Sequence, residues 1–337
     1  MRIGIASLQL GERLRQALQQ PGYDVAWMVL NGSDAILKCK ADPPELALLD
    51  PNIPGMNSVE VTRRIMRDSP CPILLVTDSV DGNAAKIFDA LGAGAIDAVN
   101  FIGGGSAEQQ EKNRAALLKK IKTVMRLHAG APEFDRTYSA AKPIALPKVV
   151  PPLIVIGSSA GGPRTLAAIL GGLPAKFSGV ITIVQHVNQE FSVSLAEWLG
   201  TQTPLNVRIA INGETPQAGN VYVAGTNDHL ILTNNLTFTY TSEPQDMPYR
   251  PSVDVFFKSV ARHWPEKGHA ILLTGMGRDG AEGLAVLRRA GWHTIAQDES
   301  TSVVYGMPKA AKEIGAAVEI LPTEQILATI LKKIKLF

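Results

Sequence analysis

Two cysteines are all that 337 residues contain, Cys39 and Cys71, and no C-x-x-C spacing relates them. A disulfide framework and a cysteine-built zinc site are both excluded, and a reducing cytoplasm is the simplest compartment. No run of about 18 apolar residues occurs, which excludes a membrane-spanning helix by the length a bilayer demands. Charge is also nearly absent in net terms: 33 Lys and Arg against 31 Asp and Glu leave +2. No basic stripe breaks that balance, so nucleic acid is not an expected partner. The opening "MRIGIAS" reads as a strand rather than a signal peptide. What the chain has is apolar content, 45% against 19% charged, enough for about two domains with proper cores.

Apolar runs alternate with helical patterns over residues 1–127. "RIGIA", "DVAWMVL", "LALLD", "PILLVT" and "AIDAVNF" read as five strands, with helices near 11–20, 33–40, 58–68, 83–92 and 107–127. Strictly alternating elements imply an α/β domain with a parallel sheet covered on both faces, a (βα)5 unit. Residues 128–152 carry five prolines and little periodicity and read as a linker. From 153 to 337 the alternation resumes as a doubly wound, mostly parallel sheet. "NVYVAGTNDHLILTNNLTFTY" breaks the rule, and its Asn234-Asn235 turn predicts an antiparallel hairpin inserted there.

"IVIGSSAGGP" (154–163) runs a buried strand into a knot of small residues. A P-loop is excluded because Pro163 stands where lysine is required, and a dinucleotide fingerprint because the glycines read GxxxGG. Gly157-Ser158-Ser159-Ala160-Gly161 does match GxSxG, the sharp turn that lifts a serine above a sheet edge. Read alone, the turn leaves a helix-capping serine and a nucleophile as equal alternatives. A nucleophilic serine needs a base. The next strand, "VITIVQ", ends in His186; the other histidines, His128, His229, His263, His269 and His293, have no comparable placement. "AILLTGMGRDG" then offers Asp279 at a third strand end, beside glycines that bare backbone N–H groups; the plainer reading of Asp279 is a helix cap. The order Ser, His, Asp differs from the Ser, acid, His order of the lipase–esterase fold.

"IGSSAGGP", "QHVNQEF", "YRPSVDVFFKSVA", "LTGMGRDGAEGL" and "AQDESTSVVYGMPKAA" together resemble the catalytic domain of the CheB family of chemotaxis protein-glutamate methylesterases over nearly all of 153–337. The resemblance implies hydrolysis of glutamate methyl esters on the cytoplasmic helices of chemoreceptors, with glutamine deamidation in many members. It implies Ser159 as nucleophile, His186 as base, Asp279 behind the histidine, the Met276 backbone as oxyanion donor, and Arg250 shaping the cleft. Ala160 departs from the threonine that often follows the nucleophile, which implies weaker hydrogen bonding in the turn. No metal or organic cofactor is implied for this step. The partners implied are methylated receptors and a chemosensory histidine kinase; the rival reading is a docking module without turnover.

"LALLDPNIPGMNSVEVTRRI" and "ILLVT" resemble a response-regulator receiver, with Asp50 at the phosphoacceptor position and Thr77 at the switch hydroxyl. Where that family carries a metal-binding acidic pair, this chain has Ala6-Ser7. Where the family carries a lysine, it has Phe101, followed by Ile102. The receiver is therefore expected to have lost its Mg²⁺-dependent phosphoryl chemistry.

Overall fold

The computed structural model describes residues 1–102, 106–128 and 150–334. The chain divides into two compact units, Met1–Ala129 and Gly130–Phe337. The expected linker falls almost wholly outside the described residues.

In the first unit, five parallel strands, β1 (Arg2–Ala6), β2 (Asp24–Val29), β3 (Leu46–Leu49), β4 (Ile73–Thr77) and β5 (Asp97–Asn100), lie in the order β2-β1-β3-β4-β5. Five helices connect and follow them: α1 (Gly11–Ala17), α2 (Gly32–Ala41), α3 (Ser58–Asp68), α4 (Ala84–Gly92) and α5 (Ala107–His128). Every residue of β3 and β4 is buried, as expected of strands covered on both faces. Cys39 and Cys71 are both buried free thiols. The order reverses between β1 and β3, and their carboxyl ends carry Ser7 and Asp50.

The second unit is built on seven strands in the order β14-β13-β12-β6-β7-β9-β8. They are β6 (Leu153–Ser158), β7 (Val180–Gln185), β8 (Asn206–Ile209), β9 (Asn220–Val223), β12 (His269–Leu272), β13 (His293–Gln297) and β14 (Glu319–Leu321), and every pairing among them is parallel. β6 and β7 are buried throughout, the direct consequence of "LIVIGS" and "VITIVQ". The chain runs from β6 outward on one side and returns through β12 on the other, so β6 is the switch point of the sheet. Open α/β sheets bind ligands at the carboxyl ends of such strands.

The hairpin is present, but not within this sheet. β10 (His229–Leu232) and β11 (Phe238–Thr241) pair antiparallel as a separate two-stranded sheet, while the first strand of the exceptional run, β9, joins the parallel one. The reason is burial: Leu230, Leu232 and Phe238 pack with α8 (Val253–His263) in a common core with Tyr222. α8 presents Val253, Phe256, Phe257 and Val260 as one buried stripe at helical spacing. Ser252 starts the helix by accepting the Val255 N–H. No helix among the described residues is long and apolar enough to cross a membrane.

Phe257 is fully buried at the α8 seam. Phe257→Ala is expected to lower stability by about 3–5 kcal/mol, read as a lowered urea midpoint for the full-length chain.

Candidate active site

The serine turn is held by two buried glutamines. Ser158, the last residue of β6, donates its hydroxyl to Gln185 Oε1 at 2.6 Å, and Gln185 Nε2 donates to the carbonyls of Ser159 and His186. Gln297 accepts the Thr274 N–H at 2.8 Å, and the Thr274 carbonyl accepts the Ser159 N–H at 3.0 Å. Ala160 brings no hydroxyl, yet its carbonyl accepts from Thr274 Oγ1 at 2.9 Å. Gly161 has φ +82°, and a Cβ on Gly275 would lie 2.7 Å from that of Ser159. The turn closes only because both are glycine.

Neither serine caps the next helix. The N-cap of α6 (Gly162–Gly171) is Gly161, with no side-chain bond. Ser158 is spent on Gln185, whereas Ser159 Oγ is buried with no hydrogen-bond partner. The capping alternative is thereby removed.

His186 follows β7 directly and anchors its N–H on the Ser158 carbonyl at 3.0 Å. Its Nε2 lies 2.7 Å from Asp279 Oδ2, and its Nδ1 is buried without a partner. Asp279 is not the cap of its own helix: α9 (Ala281–Arg289) starts at Gly280 without a side-chain bond. It sits instead on the N-terminus of α8. Ser252 Oγ at 2.8 Å and Asp254 N at 3.0 Å donate to Oδ1, and Val253 N at 2.7 Å donates to Oδ2. Burial alone would raise this carboxyl. Its bonds from His186, Asp254 and Ser252 outweigh burial and hold it below the ordinary aspartate value.

Three supporting residues were not singled out by sequence reasoning. Tyr249 stacks on His186 with ring centroids 4.1 Å apart and planes 6° from parallel. Ser252 feeds Asp279. His229, which the sequence set aside, is fully buried beneath them. Its Nδ1 accepts the Ser252 N–H at 3.0 Å and its Nε2 meets the Pro244 carbonyl at 3.1 Å. A carbonyl can only accept, so both bonds need the neutral Nε2–H tautomer, and burial depresses its basicity accordingly. Tyr249 and Ser252 lie inside the quoted "YRPSVD"; His229 had no local signal.

Met276 lies half-buried in the loop after β12, between Gly275 and Gly277, and among the described residues its N–H donates to no backbone carbonyl. Arg250 Nη2 donates to the Gln245 carbonyl at 2.7 Å and so closes its own loop.

In the first unit, Asp50 is 5% exposed, and both its oxygens are engaged: Ser7 Oγ donates to Oδ2 at 2.7 Å and Asn52 N to Oδ1 at 2.8 Å. Thr77 Oγ1 faces its own following loop, donating to the Ser79 carbonyl and accepting from Asn83 Nδ2. Phe101 is buried. Mg²⁺ demands a near-octahedral oxygen set with carboxylates. A single, already bonded aspartate flanked by Ala6 and Ser7 does not fit it, and no group of three or more His, Cys, Asp or Glu among the described residues could hold a metal ion.

A receiver-type sheet in one unit, and in the other a parallel sheet with a serine turn at its switch point, define a response-regulator hydrolase. Residues 154–330 match the CheB methylesterase family model and residues 9–100 the response regulator receiver domain model. The chain belongs to the CheB methylesterase family. It is 50% identical over 332 residues to protein-glutamate methylesterase/protein-glutamine glutaminase 1 of Burkholderia lata, covering 97% of each chain. It is 47% identical over 327 residues to the similarly named protein of Pseudomonas fluorescens, covering 95% of each. The crystal structure of the Thermotoga maritima CheB methylesterase catalytic domain superposes with a TM-score of 0.53 at 38% identity, covering 56% of this chain and all of that one.

Asp254, buried beside Asp279, accepts the Gly283 N–H at 2.6 Å. Burial and the Asp279 charge push its carboxyl from 3.8 up to about 8. An acid with a raised folded pKa contributes stability that is complete below its unfolded pKa and is lost as pH rises toward the folded one. Asp254→Asn is therefore expected to match the parent's melting temperature near pH 4 and to exceed it near pH 8. Equal melting temperatures at both would contradict the assignment.

Proposed function

We propose that the protein hydrolyses glutamate methyl esters on the cytoplasmic helices of chemoreceptors, releasing methanol, and deamidates glutamine at such sites by the same route. The observation that carries this reading is a pair of buried polar atoms without partners, Ser159 Oγ and His186 Nδ1, at the carboxyl ends of the adjacent strands β6 and β7. Unpaired buried polar atoms are costly, and what sets these two apart is that a hydroxyl and an imidazole nitrogen are left unpaired at neighbouring strand ends of one sheet edge.

Ser159 Oγ attacks the ester carbonyl while His186 Nδ1 takes its proton. The imidazolium so formed keeps its Nε2–H on Asp279, whose charge stabilises it. The Met276 N–H receives the oxyanion. Collapse of the tetrahedral adduct breaks the C–OCH3 bond, and the imidazolium protonates the leaving oxygen to give methanol. Water, deprotonated by the same nitrogen, then cleaves the acyl-serine to free glutamate. With glutamine the leaving group is ammonia. Arg250 acts on the cleft by holding its loop. Chemoreceptors and a chemosensory histidine kinase, both meeting the protein in the cytoplasm, are the proposed partners.

Ser159→Ala is expected to fold and to lose activity on the order of a million-fold, measured as methanol release from methyl-esterified receptor. Ser158→Ala should keep its turnover but lose about 1–3 kcal/mol of stability, since Gln185 Oε1 is left without its donor. If Ser158→Ala proves the inactive variant, the serines have been assigned the wrong way round.

The receiver unit, in this reading, works through protein contacts rather than phosphoryl transfer. Acetyl phosphate with Mg²⁺ is expected to leave Asp50 unmodified by intact mass and the rate of methanol release unchanged. Stoichiometric phosphorylation with a faster rate would overturn that.

A further inference from the structure

We propose that Tyr249 is a positioning residue for ester hydrolysis: its ring fixes the plane of the His186 imidazole, whose Nε2 is taken by Asp279, so that the remaining nitrogen, Nδ1, is held toward Ser159. The inference rests on the functional reading above and assigns a second constraint to its base.

A hydrogen bond to Asp279 holds His186 at one atom, Nε2. Held there and at Cβ, the ring can still turn about the axis between the two. The reacting nitrogen must nevertheless lie within hydrogen-bond reach of the serine, and small misplacements are costly. The second constraint is the phenol ring, parallel to the imidazole within 6° at 4.1 Å, with Tyr249 only 5% exposed. A flat face against a flat face fixes the plane. The same π-face also favours the imidazole once it has taken a proton and become cationic.

The segment that carries Tyr249 is itself tied down. Arg250 ties the segment to the Gln245 carbonyl, and Ser252 ties it to His229 Nδ1 and to Asp279 Oδ1. Four consecutive residues, Tyr249 to Ser252, thus supply the face for the base and a donor for the acid behind it. If the base and its acid are oriented from one short segment, they keep their mutual geometry when the surroundings fluctuate. The role asks for an aromatic face and not for the phenol hydroxyl, which separates Tyr249→Phe from Tyr249→Leu.

The test measures kcat and KM for methanol release by the full-length protein, together with the 15N spectrum of the His186 ring. Tyr249→Phe is expected to keep the parental kcat. Tyr249→Leu is expected to lose kcat on the order of a hundredfold with KM unchanged, and its Nδ1 resonance should broaden as the ring swings, the Nε2–H tautomer being kept by Asp279. A parental kcat in Tyr249→Leu, or equal losses in the two variants, overturns the proposal. Should the leucine variant not fold, Tyr249→Met takes its place: the same loss of kcat with a broadened Nδ1 resonance supports the proposal, and a parental kcat or an equally sharp resonance overturns it. The ring spectrum needs no substrate. Activity surviving in Ser159→Ala would therefore sink the functional reading while leaving the Tyr249 result readable on its own.

Discussion

The Asp279 carboxylate sits on the open N-terminus of a helix it does not belong to. Two backbone N–H groups of α8, the Ser252 hydroxyl and the His186 ring all converge on its two oxygens. A buried carboxylate without such partners would take up a proton and lose its charge. Here the helix end stabilises the anion, and the anion in turn satisfies donors that every helix start leaves open. Removing any of these groups strands the others, so the acid, the helix and the imidazole orientation depend on one another.

Parallel-sheet topology does the rest of the positioning. β6 is flanked by β7 and β12, so residues far apart in the chain reach one edge: Ser159 after β6, His186 after β7 and Asp279 in the loop after β12. The two glutamines at that edge are equally specific. Gln185 occupies the Ser158 hydroxyl, and Gln297 fixes Thr274, whose carbonyl receives the Ser159 N–H. One of two neighbouring serines is immobilised and the other is left free, which a GxSxG spacing alone cannot decide. In the receiver unit the same strand-end logic brings Ser7 to Asp50, but a hydroxyl there occupies the carboxylate instead of extending a metal-binding oxygen set.

The strands were legible because fully buried strands are continuous apolar runs, and the serine turn because glycines mark its close approaches. The loss of the receiver's acidic pair could be read directly from Ala6-Ser7. What stayed hidden was long-range. Asp279 was legible as the acid behind His186, with a helix cap as the plainer alternative, but its bond to Ser252, 27 residues earlier, was not. His229 carried no periodic or motif signal because its importance lies in one backbone N–H, that of Ser252, 23 residues away. The hairpin was visible in its turn residues, but its separation from the parallel sheet follows from packing on α8. No spacing rule indicates which imidazole nitrogen faces the acid; the fold places Nε2 there.

The central proposal is that the unpartnered hydroxyl of Ser159, one strand over from an imidazole nitrogen also left without a partner, is an activated nucleophile. Labelling the full-length protein with a fluorophosphonate and locating the adduct by peptide mass tests it most directly, because the reagent reacts with serines activated in this way. One adduct per chain, on Ser159, is the predicted result. No adduct, or one on Ser158, would contradict the account.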